Sequence, residues 1–216
     1  VVLIGNAPRR RTPEDRRREE VQEIARRRSI ERLVHFTPRD NLASIGELGL
    51  LAKSELEERC VPYRYTDPLR LDGRHEWISV SISLPNHTMF YSKRQGMIDV
   101  GDWVVFEIDP RVLWERDCLF FRTNAANKCF HDIPEEELRS PAALEQMFHG
   151  IRSPDVGKFA PSDPQAEVLV RECIPRQYLL RALVNNRSEN GKCEHGFRLH
   201  YSPAMFKKRS DHRNLH

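Results

Sequence analysis

The sequence contains no pair of cysteines at metal-binding or redox spacing. Cys60, Cys118, Cys129, Cys173 and Cys193 are odd in number and widely separated. Neither a disulfide framework nor a zinc ribbon is therefore indicated, and a reducing cytoplasmic compartment is expected. The nine histidines include no H-E-x-x-H pair, so no metal is expected. Glycine-rich phosphate loops are missing too. Neither G-x-G-x-x-G nor G-x-x-x-x-G-K-[ST] occurs, which argues against Rossmann and P-loop folds. No apolar run approaches a membrane span. The opening VVLI is too short for a signal-peptide core and runs into Arg9-Arg10-Arg11. No membrane partner is expected, and no internal repeat is visible.

What is present is one chain of 216 residues, 39% hydrophobic and 31% charged, with 14 prolines. That length supports one substantial core in a loop-rich globular chain. The net charge of +3 hides an uneven distribution. Arg9 to Arg11, Arg16 to Arg18 and Arg26 to Arg28 crowd one end, and Lys207, Lys208, Arg209 and Arg213 the other. Such clusters suit phosphate backbones. Glu14, Asp15, Glu19, Glu20 and Glu23 are interleaved with the first group, so a self-paired helix face is the plainer alternative.

Thr12-Pro13-Glu14-Asp15 reads as a helix start, with Thr at the N-cap, Pro in the first turn and acids at the positive end of the dipole. The helix should run to about Arg28 and bury little beyond Val21, Ile24 and Ala25. Arg32 to Phe36 reads as a strand, with Thr37 capping a helix whose buried stripe is Leu42, Ile45 and Leu48. Gly49 suits the end of that helix. Leu51 to Glu76 is expected to be irregular. Strands follow at Trp77 to Leu84, Trp103 to Ile108, Cys118 to Arg122, Glu167 to Cys173 and Gln177 to Val184, with helical spacing over Glu135 to Phe148 interrupted at Pro141. Residues from 186 onward read as polar and frayed in part. The short strands and absent βαβ units give an α+β class with a mixed or split sheet.

Chemistry concentrates at element ends. In Ile78 to Leu84 the apolar residues Ile78, Val80, Ile82 and Leu84 alternate with Ser79, Ser81 and Ser83. A half-buried strand follows from that period. A small hydroxylic face suits a strand beneath a polar ligand. Pro85 is expected to end it. The run from Asn86 to Arg94 then supplies hydrogen-bonding groups, two aromatics and two cations. His35, Thr37 and Asn41 sit where backbone N–H groups at a helix start can receive an amide or phosphate oxygen. Arg70 and Arg74 flank the Asp72-Gly73 turn, where a guanidinium suits a phosphate fork. Glu167 opens an otherwise apolar strand. Taken singly, each has an ordinary structural explanation: a cap, a turn, a solvated carboxylate.

Taken in order, HFTPRDNLASIGELGLL, RLDG, ISVSISLPNHTMFYSKR, FFRTNAAN and AEVLV resemble the DarT family of DNA ADP-ribosyltransferases, the toxins of bacterial toxin–antitoxin pairs. The resemblance covers about residues 32 to 184. It implies an ADP-ribosyltransferase-like split mixed β-sheet core with flanking helices. It divides the chain into a basic N-terminal helical extension (1–31), a transferase domain (32–185) and a basic polar C-terminal tail (186–216). It further implies that NAD, as co-substrate, is cleaved at the nicotinamide–ribose bond and that ADP-ribose passes to a thymine in single-stranded DNA. Glu167 and Arg70 become the expected catalytic residues. His35, Thr37, Asn41, Arg70, Ser81 and Tyr91 become the expected NAD-binding residues, and Lys93, Arg94, Asn124 and Asn127 the expected DNA contacts. A cognate macrodomain antitoxin is the implied partner. Transfer to another base, to RNA or to protein, or a non-catalytic nucleic-acid-binding module, are the alternatives that the residues leave open.

Overall fold

The computed structural model describes residues 11–64, 72–95, 103–151 and 156–209. Helix α1 (Pro13–Arg28) begins at Thr12, whose hydroxyl accepts from the Asp15 N–H while the Asp15 carboxylate accepts from the Thr12 N–H. This reciprocal cap satisfies two donors of the first turn. Val21, Ile24 and Ala25 are all buried, so the helix is anchored by a narrow apolar stripe packed on α5 (Val112–Glu115) and α7 (Pro141–Gln146). The interruption expected at Pro141 is present. A short helix α6 (Glu135–Leu138) ends before it, and Ser140 caps α7.

The centre is an eight-stranded sheet in the order β5-β6-β3-β1-β4-β8-β10-β9. The strands are β1 (Leu33–Pro38), β3 (Trp77–Ile82), β4 (Trp103–Ile108), β5 (Cys118–Phe121), β6 (Glu167–Arg171), β8 (Leu179–Val184), β9 (Cys193–Glu194) and β10 (Phe197–Tyr201). Only β8 and β10 run parallel, so the sheet is mixed. A two-stranded pair, β2 (Leu50–Leu51) with β7 (Cys173–Ile174), lies apart from it. Strand β4 is buried along its whole length. Val104, Phe106 and Ile108 face the main core, and Trp103 and Val105 the opposite cluster with Phe90, Met205 and Phe206. Burial on both faces is why WVVFEI shows no alternation. Its one charge, Glu107, is paired with Arg32 and, at 3.3 Å, with Arg181.

The sheet is continuous but nearly divided. β1 pairs with β4 at six positions, Leu33–Ile108 through Pro38–Trp103, but with β3 at two, Leu33–Ile82 and Val34–Ser81. Beyond Val34 the two central strands diverge. The expected split therefore lies between β1 and β3, and β3, β6 and β5 form the smaller half.

Several expectations are corrected. The alternating strand stops two residues early. Ile82 ends β3, and Ser83 takes a left-handed backbone (φ 64°) that lets the Leu84 N–H bond the Ile82 carbonyl at 2.7 Å. Leu84 consequently packs with the Phe90 cluster rather than with Ile78, Val80 and Ile82. Thr37 caps no helix. It lies in β1, and a 3-10 turn at Arg39–Asn41 precedes α2 (Leu42–Leu48). Leu48, the last member of the expected stripe, is 40% exposed. The region after Leu51 is not wholly irregular, because it holds helix α3 (Lys53–Glu58). Within residues 186–209 the chain is ordered into the sheet, since β9 and β10 complete it and bury Phe197 and Leu199 in the main core.

Candidate active site

A cavity of about 410 Å³ opens where β1 and β3 part, within the usual range for small-molecule sites. The alternation of β3 and β6 determines what faces it. Val80 and Val168 point into the main core, so Ser79, Ser81 and Glu167 take the other face. The divergence of β1 leaves the Ser79 carbonyl without a strand partner across the split, and the His35 ring takes that place, with Nδ1 2.9 Å from the Ser79 oxygen. His35 thus spans the division by a side chain where the backbone ladder has stopped.

Glu167 is buried at the first position of β6. Its Oε1 accepts from the Asn86 and Asn124 amides, both at 3.3 Å, and its Oε2 lies 3.5 Å from the Ala125 N–H. A buried carboxylate needs such donors, because desolvating an uncompensated charge costs several kcal/mol. Asn86 is itself fixed on three sides. Its N–H donates to Ser81 Oγ at 3.1 Å, and its Oδ1 accepts from Met89 N–H at 3.2 Å, in the first turn of α4 (His87–Gln95).

Thr37 and Asn41 form a second polar unit on the wall. The Asn41 amide donates to Thr37 Oγ1 at 2.9 Å and to the Arg64 carbonyl at 3.1 Å, and its oxygen accepts from the Arg64 N–H at 2.7 Å. Asn41 therefore holds the chain at Arg64 as a neighbouring strand would. The turn carrying Asn41 is braced from behind. Arg39 is ion-paired with Glu194 of β9 and, at 2.6 Å, with Glu189. The Arg39 guanidinium holds the Glu194 carboxyl below the ordinary carboxylate range. Gly46 of α2 completes the brace. A Cβ there would stand 2.3 Å from the His195 carbonyl oxygen, so only glycine allows this approach.

Of the residues expected at the site, Glu167, His35, Thr37, Asn41, Ser81, Lys93 and Asn124 line one cavity. Arg70 lies outside the described residues. Arg64 and Asp72, on either side of that segment, both line the cavity. Arg74 is turned elsewhere, to Glu135 at 2.7 Å and over the Phe121 ring. The expectation that the turn after β3 delivers Tyr91 and Arg94 to the site is corrected. Neither lines the cavity. Tyr91 is 40% exposed beneath the Lys208 ammonium, 3.9 Å from its ring centre. Arg94 donates to the Phe206 carbonyl at 3.2 Å and covers the Phe90 ring, and this burial lowers its pKa. The cause is helical spacing: Met89 and Lys93, four apart, share the cavity face, which Tyr91, two residues from each, cannot join. Asn127 caps the 3-10 turn at Lys128–Phe130 through the Cys129 N–H. Sequence reasoning missed Asn86 as a site residue. Its signal was the Pro-Asn pair opening a helix, where a side chain is fixed by its own capping bond.

The sequence matches the family model described as ssDNA thymidine ADP-ribosyltransferase, DarT, over residues 34–200. The chain belongs to the DarT family. The span runs from β1 to β10 and contains every strand of the divided sheet except β1's first residue and β10's last. Among solved structures, Thermus sp. 2.9 DarT in complex with NAD+ is similar at a TM-score of 0.55 and 15% identity, with 82% of this chain and 98% of that chain covered. The same protein in complex with ADP-ribosylated ssDNA gives 0.52 and 16%, with 83% and 97% covered. Thermosipho africanus DarTG in complex with ADP-ribose gives 0.55 and 18% over 82% of this chain. The present chain spans about half the length of that chain, 51%. At these identities the likeness is one of fold. No curated protein matches the sequence.

Proposed function

We propose that this chain cleaves NAD at the nicotinamide–ribose bond and transfers ADP-ribose to a ring nitrogen of thymine in single-stranded DNA. The observation that carries the reading is the convergence of Glu167, His35, Thr37 and Ser81 on one cavity at the split of the sheet, inside the span matched by the DarT family model. The neighbours' complexes, one with NAD+ and one with ADP-ribosylated ssDNA, support the same pairing of substrates.

The residues suit the chemistry. When nicotinamide departs with the bonding pair, positive charge builds on the ribose C1′. A carboxylate held in a buried wall stabilises that charge and orients the sugar without reorganising. The thymine imide N–H is a weak acid, and Glu167 accepts its proton as the new C1′–N bond forms. His35, Thr37 and Ser81 offer polar groups for the nicotinamide riboside part of NAD. Asn41 serves by holding Arg64 in the wall. Arg70 is assigned to the diphosphate or to placement of the base. Lys93, at the cavity edge, meets a phosphate of NAD or of the DNA.

In its setting, the protein is the toxin of a toxin–antitoxin pair acting in the cytoplasm, opposed by a macrodomain antitoxin. Among the described residues no helix is long and apolar enough to cross a membrane, which is compatible with that location. The test is direct. Incubation with NAD and thymine-containing single-stranded oligonucleotides should give a slower band, whose mass gain equals one ADP-ribose on thymine, together with released nicotinamide. Intact NAD and unmodified oligonucleotides of every sequence tested would overturn the reading.

A further inference from the structure

Glu167 is flanked by two loops that treat it alike. The sheet order places β6 between β3 and β5, so the loop after each neighbour ends beside the first residue of β6. The loop after β3 brings Asn86 and the loop after β5 brings Asn124. Each side-chain oxygen is occupied by a backbone N–H two or three residues further along the chain: Met89 at 3.2 Å for Asn86, Ala126 at 2.9 Å for Asn124. A backbone N–H can only donate, so both amides have one permitted orientation, with Nδ2 toward the carboxylate. Both Nδ2 groups lie 3.3 Å from the same atom, Glu167 Oε1. Asn124, expected from the sequence to contact DNA, is thereby committed to the carboxylate.

We propose that Asn86 and Asn124 are a pair of positioning residues that orient the Glu167 carboxylate and keep it ionised for transfer. This rests on the reading of Glu167 as the site's catalytic carboxylate. Two N–H donors on one oxygen favour negative charge there and fix the plane of the group. The strands on either side supply them, so the carboxylate is held across the sheet rather than by its own strand. The other titratable groups on the cavity wall are His35 of β1, Lys53 of α3, Tyr63, Arg64 and Asp72 before β3, and Lys93 of α4. His87, next to Asn86, is buried.

Asn→Asp substitutions separate this role from loop capping. Aspartate keeps the oxygen that receives Met89 or Ala126 N–H, but it presents an acceptor to Glu167 where a donor stood. N86D and N124D are expected to fold, with a melting temperature lowered by a few degrees because a second carboxyl group stands beside Glu167, and to keep the KM for NAD within about twofold. Their kcat should fall roughly 10- to 100-fold, as expected when a reacting group loses its orientation. The acid limb of the pH–kcat profile should move to higher pH, since a neighbouring acceptor disfavours ionisation of Glu167. N86S and N124S keep a cap without the amide and should lose kcat with a smaller upward move of the acid limb, since a donor is lost but no acceptor is gained. These variants decide the matter should either aspartate variant misfold. Wild-type kcat and an unmoved acid limb in folded variants of both positions would overturn the proposal. Glu167→Gln assayed in parallel isolates the parent reading. Full activity there overturns the role of Glu167 itself, whereas loss in E167Q with unaffected asparagine variants overturns only the positioning pair.

Discussion

Two polar regions of this molecule differ in almost every respect. Helix α1 is densely charged, yet its charges are spent on one another. Glu14 pairs with Arg17 and Arg18, Glu23 with Arg26, and Arg11 with Glu19, all on exposed surface save Arg17. Arg27 and Arg28 both reach Glu145 of α7. The wall of the cavity between β1 and β3 carries fewer charges, and its polar groups, Asn41, Asn86 and Glu167 buried and His35 half-buried, are tied to other elements. His35 reaches Ser79 of β3, Asn41 holds Arg64, and Asn86 reaches Glu167 of β6. Exposed pairs are screened by water and salt and contribute about 0–1 kcal/mol each. A buried polar group left without its partner costs about 1–3 kcal/mol. The quieter region is therefore the more demanding one, and it is where we place the chemistry.

The sharpest way to break this contrast is at Glu167. E167Q preserves size and keeps an oxygen for the Asn86 and Asn124 donors, but it removes the charge and turns a donor toward the Ala125 N–H. Transfer measured by oligonucleotide band shift should fall by about 10²- to 10⁴-fold, the usual range for a lost general base. The melting temperature should stay within a few degrees, because the isosteric amide also relieves burial of a charge. Substantial transfer by E167Q would place the chemistry elsewhere.

Asn41→Ala tests the wall rather than the chemistry. It strands the Arg64 N–H and the Thr37 hydroxyl together, so a loss of about 1–3 kcal/mol is expected, read as a drop in melting temperature of roughly 2–4 °C per kcal/mol for a chain of this size. The KM for NAD should rise with it, because Arg64 lines the same cavity. His35→Ala should be milder for stability, about 1 kcal/mol for the loss of the bond to Ser79. It should cost about tenfold in kcat/KM for NAD. Stability losses of equal size but unchanged NAD parameters in both variants would mean that the split is only a structural seam.

How much of this was legible in the sequence follows from the same contrast. Strand WVVFEI and the capped helix from Thr12 could be read off directly, because each is specified by neighbours in sequence. The serine face of β3 was legible as far as Ser81. The left-handed turn at Ser83 was not, since a non-glycine residue there is held by a distant contact, its hydroxyl donating to the Phe159 carbonyl at 2.8 Å. Glu167 came from its place in a resembling motif, and only the strand order reveals that Asn86 and Asn124 flank it. Tyr91 was misplaced because aromatic and cationic residues in one run look like a ligand-binding set until helical phase separates them. Strand β10 was missed because it pairs in parallel with β8 across a crossover, and β9 because it is two residues long and is tied down by Arg39, remote in sequence.

That remote brace predicts a pH effect of moderate size. Arg39 lowers the Glu194 pKa relative to the unfolded chain. A depressed carboxylate contributes stability above its unfolded value, near pH 4.3, and loses it as the pH falls toward the folded value. Melting temperature should therefore decline below about pH 4.5 more steeply in the wild type than in Arg39→Gln, whose Glu194 titrates at its ordinary value. At neutral pH, Arg39→Gln should be the less stable of the two. Parallel acid curves for the two proteins would show that the Arg39 pair does not fasten β9 to the turn of Asn41.

The smallest effect is expected on α1, although the charge there is greatest. The Arg17 guanidinium, with Arg18 behind it, holds the Glu14 carboxyl down to about 2. That carboxyl side chain is nonetheless 48% exposed, so solvent screening leaves little of this shift as stability. The same pairing bears on DNA. An arginine that neutralises a phosphate releases a counterion and adds about 0.7 to the slope of log affinity against log salt for a single strand. Three free arginines at Arg16 to Arg18 would add roughly 2 by that rule. With Arg17 and Arg18 bound to Glu14, replacing the triplet by glutamine should change the slope by less than about 1. A fall near 2, measured with a thymine-containing oligonucleotide across a salt series, would show that DNA outcompetes Glu14 for these arginines and that α1 is a binding surface after all.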